Sequence, residues 1–389
     1  MRKLYLDMRY VGRVPHAYRM DAATLAAVSG YNLGNFVFRH ALHSILADFA
    51  DFQPVVGEEF RALVAGGEKV EHLLVSCANW LGQTAQDEQF NLGRATMIES
   101  VDGPVTAFGL GVQAKEMLHD GVARLGPNTI RLARALSERC QQLSVRDELT
   151  RRTLEASGVQ NAVVTGCPSG FINGDADLGA QLAARAESLR STLKTWDEVR
   201  NAISEVTGGH GNSGKVLSRQ MRMLAETPAF YVIQTPLLLP FILGDRSNIP
   251  QDYRSHNPFM TQPGRLTNTL KAKSLHFTDV DSWMDFSRSC DMSLGMRIHG
   301  TIVPLQAGTP SILVAHDSRT VGLADAMCVP WISPEEFLSM VEVGPSALYE
   351  AFIAKIAGYD ANRHMRAGVM RGLVEANGLR VHKSLLGLT

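Results

Sequence analysis

Residues 291–320 read DMSLGMRIHGTIVPLQAGTPSILVAHDSRT and give the strongest indication of the architecture. The pattern predicts a strand, a turn that carries Arg297 and His299, a short helix, a second strand, and a polar end at 316–320. A strand, helix, strand order of this kind is typical of an α/β fold with a parallel sheet. Two strand ends then place cations beside helix N-termini, which is a favourable position for a bound anion.

The helix within this stretch has recognisable start and stop signals. We expect it to begin near Gly300, with Pro304 in its first turn, where the missing proline N–H costs little. Gly308 is expected to end it. If the chain before the helix is extended, Arg297 and His299 point to the same side.

The composition is that of a globular protein large enough for two domains. The chain has 389 residues, of which 45% are hydrophobic and 20% charged,. The net charge of −1 provides no global field for nucleic acid or an anionic membrane, so we predict no nucleic-acid partner,. The five cysteines contain no C-x-x-C pair, which argues against a disulfide framework or structural zinc and favours a reducing, cytoplasmic location,. No stretch approaches the roughly 20 apolar residues of a membrane span, and the N-terminus has no apolar signal segment.

A second strand end carries another arginine. Residues 143–145 are predicted to end a strand, Asp147 to cap a helix over 148–157, and 161–165 to form the next strand,. Arg146 therefore lies at the carboxyl end of a strand, which is the edge where open α/β sheets bind ligands. The residues alone leave two interpretations open, a ligand contact or a pair with a surface carboxylate.

Three glycine-rich segments are candidate ligand loops. The turn at 30–35 opens a helix predicted from Phe36 to Phe49, and it either approaches a ligand or only turns the chain,. The segment GLGVQ at 109–113 resembles half of a dinucleotide fingerprint, but it lacks the third glycine, so it supports such a site only weakly. Within the segment Gly208 to Lys215, the residues from Gly209 onward fit G-x-x-x-x-G-K, yet Val216 stands where a P-loop needs Ser or Thr,. We expect this last segment to be a glycine loop over a phosphate or an acceptor, followed by a helix from Val216.

Several of these segments together resemble the polysaccharide pyruvyl transferase family. The resemblance is carried by SVRD at 144–147, by GCPS at 166–169, and by RIHGTIVPLQAGTPSILVAHDSRT at 297–320. Weaker similarity extends to the turn at 32–35 and to the GLGVQ segment. The family turn commonly reads N-x-G-D, whereas this chain has Asn35 in place of the acid.

The resemblance implies an α/β fold with two Rossmann-like domains that face a cleft, similar to the glycosyltransferase-B architecture. We expect an N-terminal domain on the acceptor side (1–172), a C-terminal domain on the phosphoenolpyruvate side (173–345), and C-terminal helices that brace both (346–389). The implied reaction moves a pyruvyl group from phosphoenolpyruvate to hydroxyls of a sugar in a cell-surface polysaccharide or its precursor. It forms a ketal and releases phosphate.

The resemblance also implies which residues bind the donor. Arg146, Arg297 and His299 match family residues that bind phosphoenolpyruvate, and Arg319 matches a further basic residue. Guanidinium groups suit a molecule with a carboxylate and a phosphate, because their planar fork binds two oxygens at once. His299 is the candidate catalytic acid or base, with hydrogen bonding to phosphate alone as the open alternative. His316 and Ser318 at the same strand end are weaker candidates.

Acceptor contacts are expected from the N-terminal domain by analogy with the fold. The candidates are Asn32, Gly34, Asn35 and Asn79. The acceptor would be a sugar, an oligosaccharide or a lipid-linked saccharide, so peripheral contact with the inner face of the cell membrane is an open possibility. We expect no metal and no cofactor, since phosphoenolpyruvate is a donor substrate.

Two alternative functions fit the same residues. One is a nucleotide-sugar-dependent glycosyltransferase of the same B-type fold, whose donor also presents phosphates to a helix N-terminus. The other is a non-catalytic scaffold in a polysaccharide assembly complex.

Overall fold

The computed structural model describes residues 2–7, 9–113, 117, 121–206, 211–243, 245 and 265–389, with the side chains of all except 211, 265–267, 318 and 319. Within these ranges two α/β units are built around separate parallel sheets. The two-unit α/β fold predicted from the sequence is therefore confirmed. The domain boundaries proposed above stay a prediction.

The first unit contains a four-stranded parallel sheet in the order β2-β1-β3-β5. Two further parallel pairs, β4 with β6 and β7 with β8, extend the same unit. All residues of β5 are buried, as expected for a parallel sheet with both faces covered,. The strands are β1 Arg2–Leu6, β2 Gln53–Val55, β3 Val70–Ser76, β4 Leu81–Gly82, β5 Val105–Phe108, β6 Val112–Gln113, β7 Leu143–Val145 and β8 Ala162–Val164.

The helices of this unit are α1 Ala22–Ser29, α2 Asn35–His40, α3 Leu42–Ile45, α4 Gly57–Ala65, α5 Ala85–Glu99, α6 Pro127–Arg139 and α7 Glu148–Ala156. Asp147 caps α7 by accepting a hydrogen bond from the backbone N–H of Thr150, as the sequence predicts,. The single helix predicted from Phe36 to Phe49 is wrong, because the chain divides into α2 and α3. It leaves helical geometry at Leu46, which forms an antiparallel bridge with Val381.

The second unit contains a six-stranded parallel sheet in the order β11-β10-β9-β12-β13-β14. The chain enters at β9, builds outward to β11, and returns to the other side of β9 with β12. The strand order thus reverses between β9 and β12, and such a switch point opens a crevice at the carboxyl ends of the strands. The strands are β9 Asn201–Ser204, β10 Phe230–Ile233, β11 Ser274–His276, β12 Met292–Gly295, β13 Ser311–Val314 and β14 Trp331–Ile332.

The described helices of this half, numbered on from the first unit, are α8 Leu178–Thr192, α9 Gly211–Glu226, α10 Leu239–Ile242, α11 Arg265–Lys273, α12 Val280–Arg288, α13 Ile298–Gln306, α14 Ser318–Ala326, α15 Pro334–Val343, α16 Pro345–Ile356, α17 Tyr359–Ala376 and α18 Lys383–Leu386. In the described part of the chain, none of the helices combines the length and the apolar character needed to cross a membrane.

Helix α13 begins at Ile298, two residues before the predicted start, so His299 belongs to its first turn and Pro304 to its interior. The missing N–H of Pro304 would ordinarily bond the carbonyl of Gly300. That carbonyl instead accepts a hydrogen bond from the Ser293 hydroxyl at 3.2 Å. The Ser293 side chain on the neighbouring strand β12 therefore reduces the cost of a proline inside α13.

The glycine segment 208–215 also differs from its prediction. Residues 211–215 lie inside α9, and Val216 of that helix is fully buried in the core of the second unit. Residues 208–210 lie outside the described residues. The part of the segment that the structure describes is therefore helix and not a loop.

Helix α17 returns the chain to the first unit. Its Met370 and Leu373 share an apolar cluster with Tyr5 and Leu74 of the first sheet. Arg366 on the same helix donates one hydrogen bond to the carbonyl of Val164 at 2.7 Å and another to the carbonyl of Ala326 at 2.9 Å. Because Val164 lies in β8 and Ala326 in α14, this one side chain ties the two units together.

Candidate active site

A cavity of about 310 Å³ lies between the two units, at the switch point of the second sheet. It is lined from the first unit by Gly30, Asn32, Asn35, Phe38, Ala78, Asn79, Phe108, Gly109, Arg146, Cys167 and Pro168, and from the second by Gln234, Met296, Arg297, Ile298, His299, His316, Thr320 and Leu323. The structure thus brings together the predicted residues Arg146, Arg297, His299, His316, Asn32, Asn35 and Asn79. Gly34 does not line this cavity.

Arg297 immediately precedes α13, at its N-cap position, and its side chain is held by a buried carboxylate. Its Nη2 donates to Oε1 of Glu205 at 2.7 Å and to the Thr235 hydroxyl at 2.9 Å. Glu205 is fully buried and also accepts from the backbone N–H groups of Gln234 and Thr235, each at 2.8 Å. A buried charge needs such partners. The network fixes the guanidinium, whose side chain remains 20% exposed towards the cavity.

Arg146 approaches the same cavity from the first unit. It is nearly buried, and it donates to the amide oxygen of Asn79 and, at 3.2 Å, to the carbonyl of Val112. Its path runs across Gly111, where a Cβ would lie only 1.9 Å from the Arg146 Nε. Gly111 of the GLGVQ segment therefore leaves space for the Arg146 side chain and is not part of a dinucleotide-binding turn.

His299 lies in the first turn of α13 and lines the same cavity as the two arginines. Partial burial of its ring, followed by the positive charge of Arg146, lowers the His299 pKa to about 4,. In the unliganded protein the imidazole is therefore neutral at pH 7. Its Nε2 lies 3.9 Å from the Cys167 Sγ. A bound dianion would favour the protonated ring, so the charge of His299 is coupled to the occupancy of the cavity.

The turn at 30–35 has a rigid internal structure. The Asn32 Oδ1 accepts from the Gly34 N–H at 3.0 Å, and the Asn35 Nδ2 donates to the carbonyl of Ser29 at 3.0 Å. Gly34 packs beneath Gln234, since a Cβ there would lie 2.5 Å from the Gln234 Oε1. Asn32 and Asn35 line the cavity, while Gly34 allows the turn to pass close to the second unit.

The end of β13 contributes His316 and a helix cap. The His316 Nε2 lies 3.6 Å from Oδ2 of Asp317, and Asp317 accepts the N–H of Thr320 at 2.7 Å to cap α14. The side chains of Ser318 and Arg319 lie outside the described residues, so their predicted role in donor binding stays a prediction.

Three residues at the cavity or directly behind it were missed by the sequence reasoning. Glu205 and Gln234 directly follow β9 and β10, so the rule that singled out Arg146 and Arg297 at strand ends applies to them as well,. Gln234 is 1% exposed, and its Nε2 has no hydrogen-bond partner among the described residues. Cys167 lies inside the quoted GCPS motif, and burial raises the pKa of its thiol.

The arrangement is suited to a small molecule with two anionic groups. Guanidinium groups from both units and the N-terminus of α13 converge on one cavity, and each is a good partner for oxyanions. Among the residues that the structure describes, no group of three or more His, Cys, Asp or Glu side chains is placed to hold a metal ion.

Comparison with known proteins adds a family match and distant structural likenesses. Residues 17–318 match the model of the family described as polysaccharide pyruvyl transferase. No curated protein matches the chain. Solved structures that are similar to it include UDP-GlcNAc 2-epimerase from Neisseria meningitidis bound to UDP-GlcNAc, with 12% identity, a TM-score of 0.43, and coverage of 94% of this chain and 98% of that one.

Two further solved structures show the same degree of likeness. Anabaena Alr3699/HepE in complex with UDP and glucose has 10% identity, a TM-score of 0.41 and 97% coverage of both chains. The H444N variant of the wall teichoic acid polymerase TagF has 8% identity, a TM-score of 0.42, and coverage of 96% of this chain and 89% of that one.

Proposed function

Because the chain belongs to the polysaccharide pyruvyl transferase family, we propose that it moves a pyruvyl group from phosphoenolpyruvate to two hydroxyls of a saccharide. The products are a ketal on the saccharide and inorganic phosphate. The observation that carries the proposal is the convergence of Arg146 and Arg297, from different units, on the cavity that contains His299.

Phosphoenolpyruvate fits this cavity by charge. Its carboxylate and phosphate are separated by the enol carbon, and each can be bound by one planar guanidinium. The N–H groups at the start of α13 supply further donors for phosphate. Each guanidinium also has a carboxylate beside it, with Glu205 2.7 Å from Arg297 and Asp147 3.9 Å from Arg146. Because a guanidinium has five N–H donors, each arginine can still hydrogen-bond an oxyanion of the substrate.

The reaction requires a proton at C3 of the enol and a new C–O bond at C2. In the proposed sequence, the first acceptor hydroxyl adds to C2 as C3 gains a proton. The C2–O bond to phosphate then breaks, and the second hydroxyl adds to C2 and loses its proton. His299 is the group whose protonation responds to phosphate, so we assign it to these proton transfers. A role limited to hydrogen bonding with phosphate is the alternative that a substitution can test.

The acceptor would enter from the first unit, where Asn32, Asn35 and Asn79 line the cavity. We propose further that the acceptor is a precursor of a cell-surface polysaccharide. Such a precursor would receive the pyruvyl group in the cytoplasm, on a carrier at the inner face of the membrane.

The direct test is incubation with phosphoenolpyruvate and candidate saccharides, monitored by phosphate release and by the mass of one ketal-linked pyruvyl group on the acceptor. Thermal shifts with phosphoenolpyruvate and with a panel of nucleotide sugars give a cheaper first test. Stabilisation by a nucleotide sugar, together with glycosyl transfer and no response to phosphoenolpyruvate, would favour the glycosyltransferase alternative. The absence of any response would favour a scaffold.

A further inference from the structure

A second cavity, also of about 310 Å³, lies inside the first unit. It shares Gly30, Asn35, Phe38 and Ala78 with the central cavity, so the two spaces are adjacent. A ligand in the second cavity can therefore extend towards Arg146 and His299. Its remaining wall includes Asp7, Arg39, Ser76, Trp80, Arg94 and Met97.

The short loop after β3 contributes residues to the walls of both cavities. Asn79 contacts Arg146 in the central cavity, whereas its neighbour Trp80 lines the second one. Between β3 and these residues, Ala78 adopts a φ of 40°, a left-handed conformation that is costly for a residue other than glycine,. The buried Asn91 secures the loop by donating to the carbonyl of Trp80 at 2.8 Å. The strained backbone at Ala78 thus directs the side chain of Asn79 towards the central cavity and that of Trp80 towards the second cavity.

Arg94 gives the second cavity a positive charge. Its guanidinium lies 4.4 Å from the centre of the Trp80 ring, and its Nη1 donates to the Asn91 Oδ1 at 2.8 Å. Among the described residues, no carboxylate lies within ion-pairing distance of Arg94. Arg39, by contrast, pairs with Asp7 at 2.7 Å. Asp87 and Asp7 act on Arg94 only from beyond that distance, so an anionic ligand would add a direct counter-charge that offsets the cost of its partial burial,.

The rest of the wall suits a sugar. Asp7 accepts hydrogen bonds from Tyr5 at 2.8 Å and from Arg39 through its Oδ2. A fixed carboxylate with an arginine beside it can bind vicinal hydroxyls, and Trp80 contributes an aromatic ring to the wall that can pack against the C–H groups of a sugar,.

We propose that the second cavity binds the acceptor as an anionic saccharide, with Arg94 on its phosphate or carboxylate and Asp7 on its hydroxyls. The inference rests on the proposed function, since the acceptor hydroxyls must reach the central cavity from here. A sugar phosphate and a sugar acid share the chemistry that Arg94 recognises, and the two sources can be told apart by experiment.

The test compares the affinities of glucose 1-phosphate, glucuronic acid, methyl β-glucoside and phosphoenolpyruvate for the full chain by titration calorimetry. We expect Arg94→Gln to weaken binding of the anionic sugars about tenfold or more, as for the loss of a charge-assisted hydrogen bond. The affinity for phosphoenolpyruvate should stay within about twofold, because Arg94 is not part of the donor site. Arg131→Gln on α6 is the matched control, since Arg131 is exposed and pairs with Glu99 outside the cavity. A preference for one anionic sugar would identify phosphate or carboxylate as the recognised group.

A second measurement covers the case in which Arg94→Gln does not fold. Whichever of glucose 1-phosphate and glucuronic acid binds more tightly should change the tryptophan emission of the unaltered protein, and Trp80→Phe should abolish the change. The inference is overturned if the unaltered protein binds phosphoenolpyruvate but none of the three sugars, if methyl β-glucoside binds as tightly as the anionic sugars, or if Arg94→Gln binds them normally. It is likewise overturned if the change in emission is absent or survives in Trp80→Phe. A protein that binds the anionic sugars through Arg94 but ignores phosphoenolpyruvate would instead contradict the proposed function alone.

Discussion

His299 is a neutral imidazole in the unliganded protein and lines a cavity together with Arg146 and Arg297, and this environment sets what it can do. Burial and Arg146 both disfavour its protonated form. A group that is neutral when the cavity is empty and charged when a dianion is bound can exchange a proton in step with substrate binding. Arg297 differs from His299, because its pair with Glu205 fixes the orientation of the guanidinium and favours its charged form.

We predict that His299→Gln separates the two roles considered for this residue. If His299 transfers protons, kcat should fall by about 10²- to 10⁴-fold, with a smaller change in the KM for phosphoenolpyruvate. Steady-state kinetics with saturating acceptor would measure both constants. An unchanged kcat with a raised KM would remove the acid/base role and leave a phosphate ligand.

The lowered pKa of His299 also predicts how the stability of the unliganded protein depends on pH. The folded-state pKa of about 4 lies below the ordinary value of 6.5, so the unfolded chain binds the proton first,. The contribution of His299 is present above about pH 6.5 and is lost as the pH falls towards 4,. The free energy of unfolding, measured by urea titration, should fall between pH 7 and pH 5 in both proteins. It should fall less in His299→Gln than in the unaltered protein. Equal losses in both proteins would contradict the shift.

Secondary-structure elements show where sequence reasoning succeeds and where it fails. The strand, cap and helix around Arg146 were predicted to within about two residues, because Asp147 and the flanking apolar runs are local signals,. Pro304 was wrongly placed in the first turn of α13, and its position inside the helix is possible because Ser293 on strand β12 satisfies the carbonyl that Pro304 leaves free. Glu205 could not be paired with Arg297 from the sequence, because only the topology of the second sheet brings these distant positions together.

The loop between β5 and β6 gives a prediction that follows from packing. Gly111→Ala should displace Arg146, because the new Cβ would overlap its Nε. We expect the KM for phosphoenolpyruvate to rise about tenfold or more, as for the loss of a charge-assisted contact. Gly93→Ala on α5 is the control, since no atom lies within 4 Å of its Cβ position and alanine favours a helix,. Normal donor kinetics in Gly111→Ala would show that Arg146 does not bind the donor.

The two units are joined through α17 as well as through the chain that leads into α8. Arg366 bonds backbone carbonyls in both units, and Arg363 donates to the carbonyl of Gly170 at 3.0 Å. The shape of the central cavity therefore depends on a helix that contributes no residue to its wall.

We predict that Arg366→Ala lowers the free energy of unfolding by about 2–4 kcal/mol, because two hydrogen bonds from a charged donor are lost. Arg371→Ala on the same helix should cost less than about 0.5 kcal/mol, since its pair with Glu375 is exposed,. Denaturant titration of both variants gives the comparison. Similar losses for the two would contradict a bridging role for Arg366.

The return of α17 has a consequence for the order in which the protein matures on the ribosome. The first sheet is translated early, but the cluster around Tyr5 and Leu74 is completed only by Met370 and Leu373 of α17. The sheet made first should therefore reach its native state last, after the second unit has emerged. A chain truncated after Tyr359 keeps α16, whose Leu348 and Phe352 belong to the core of the second unit, but lacks the rest of α17. Its second unit should resist protease while its first unit is still cleaved. Until α17 is released, the early-made half presents apolar surface that a chaperone would have to cover.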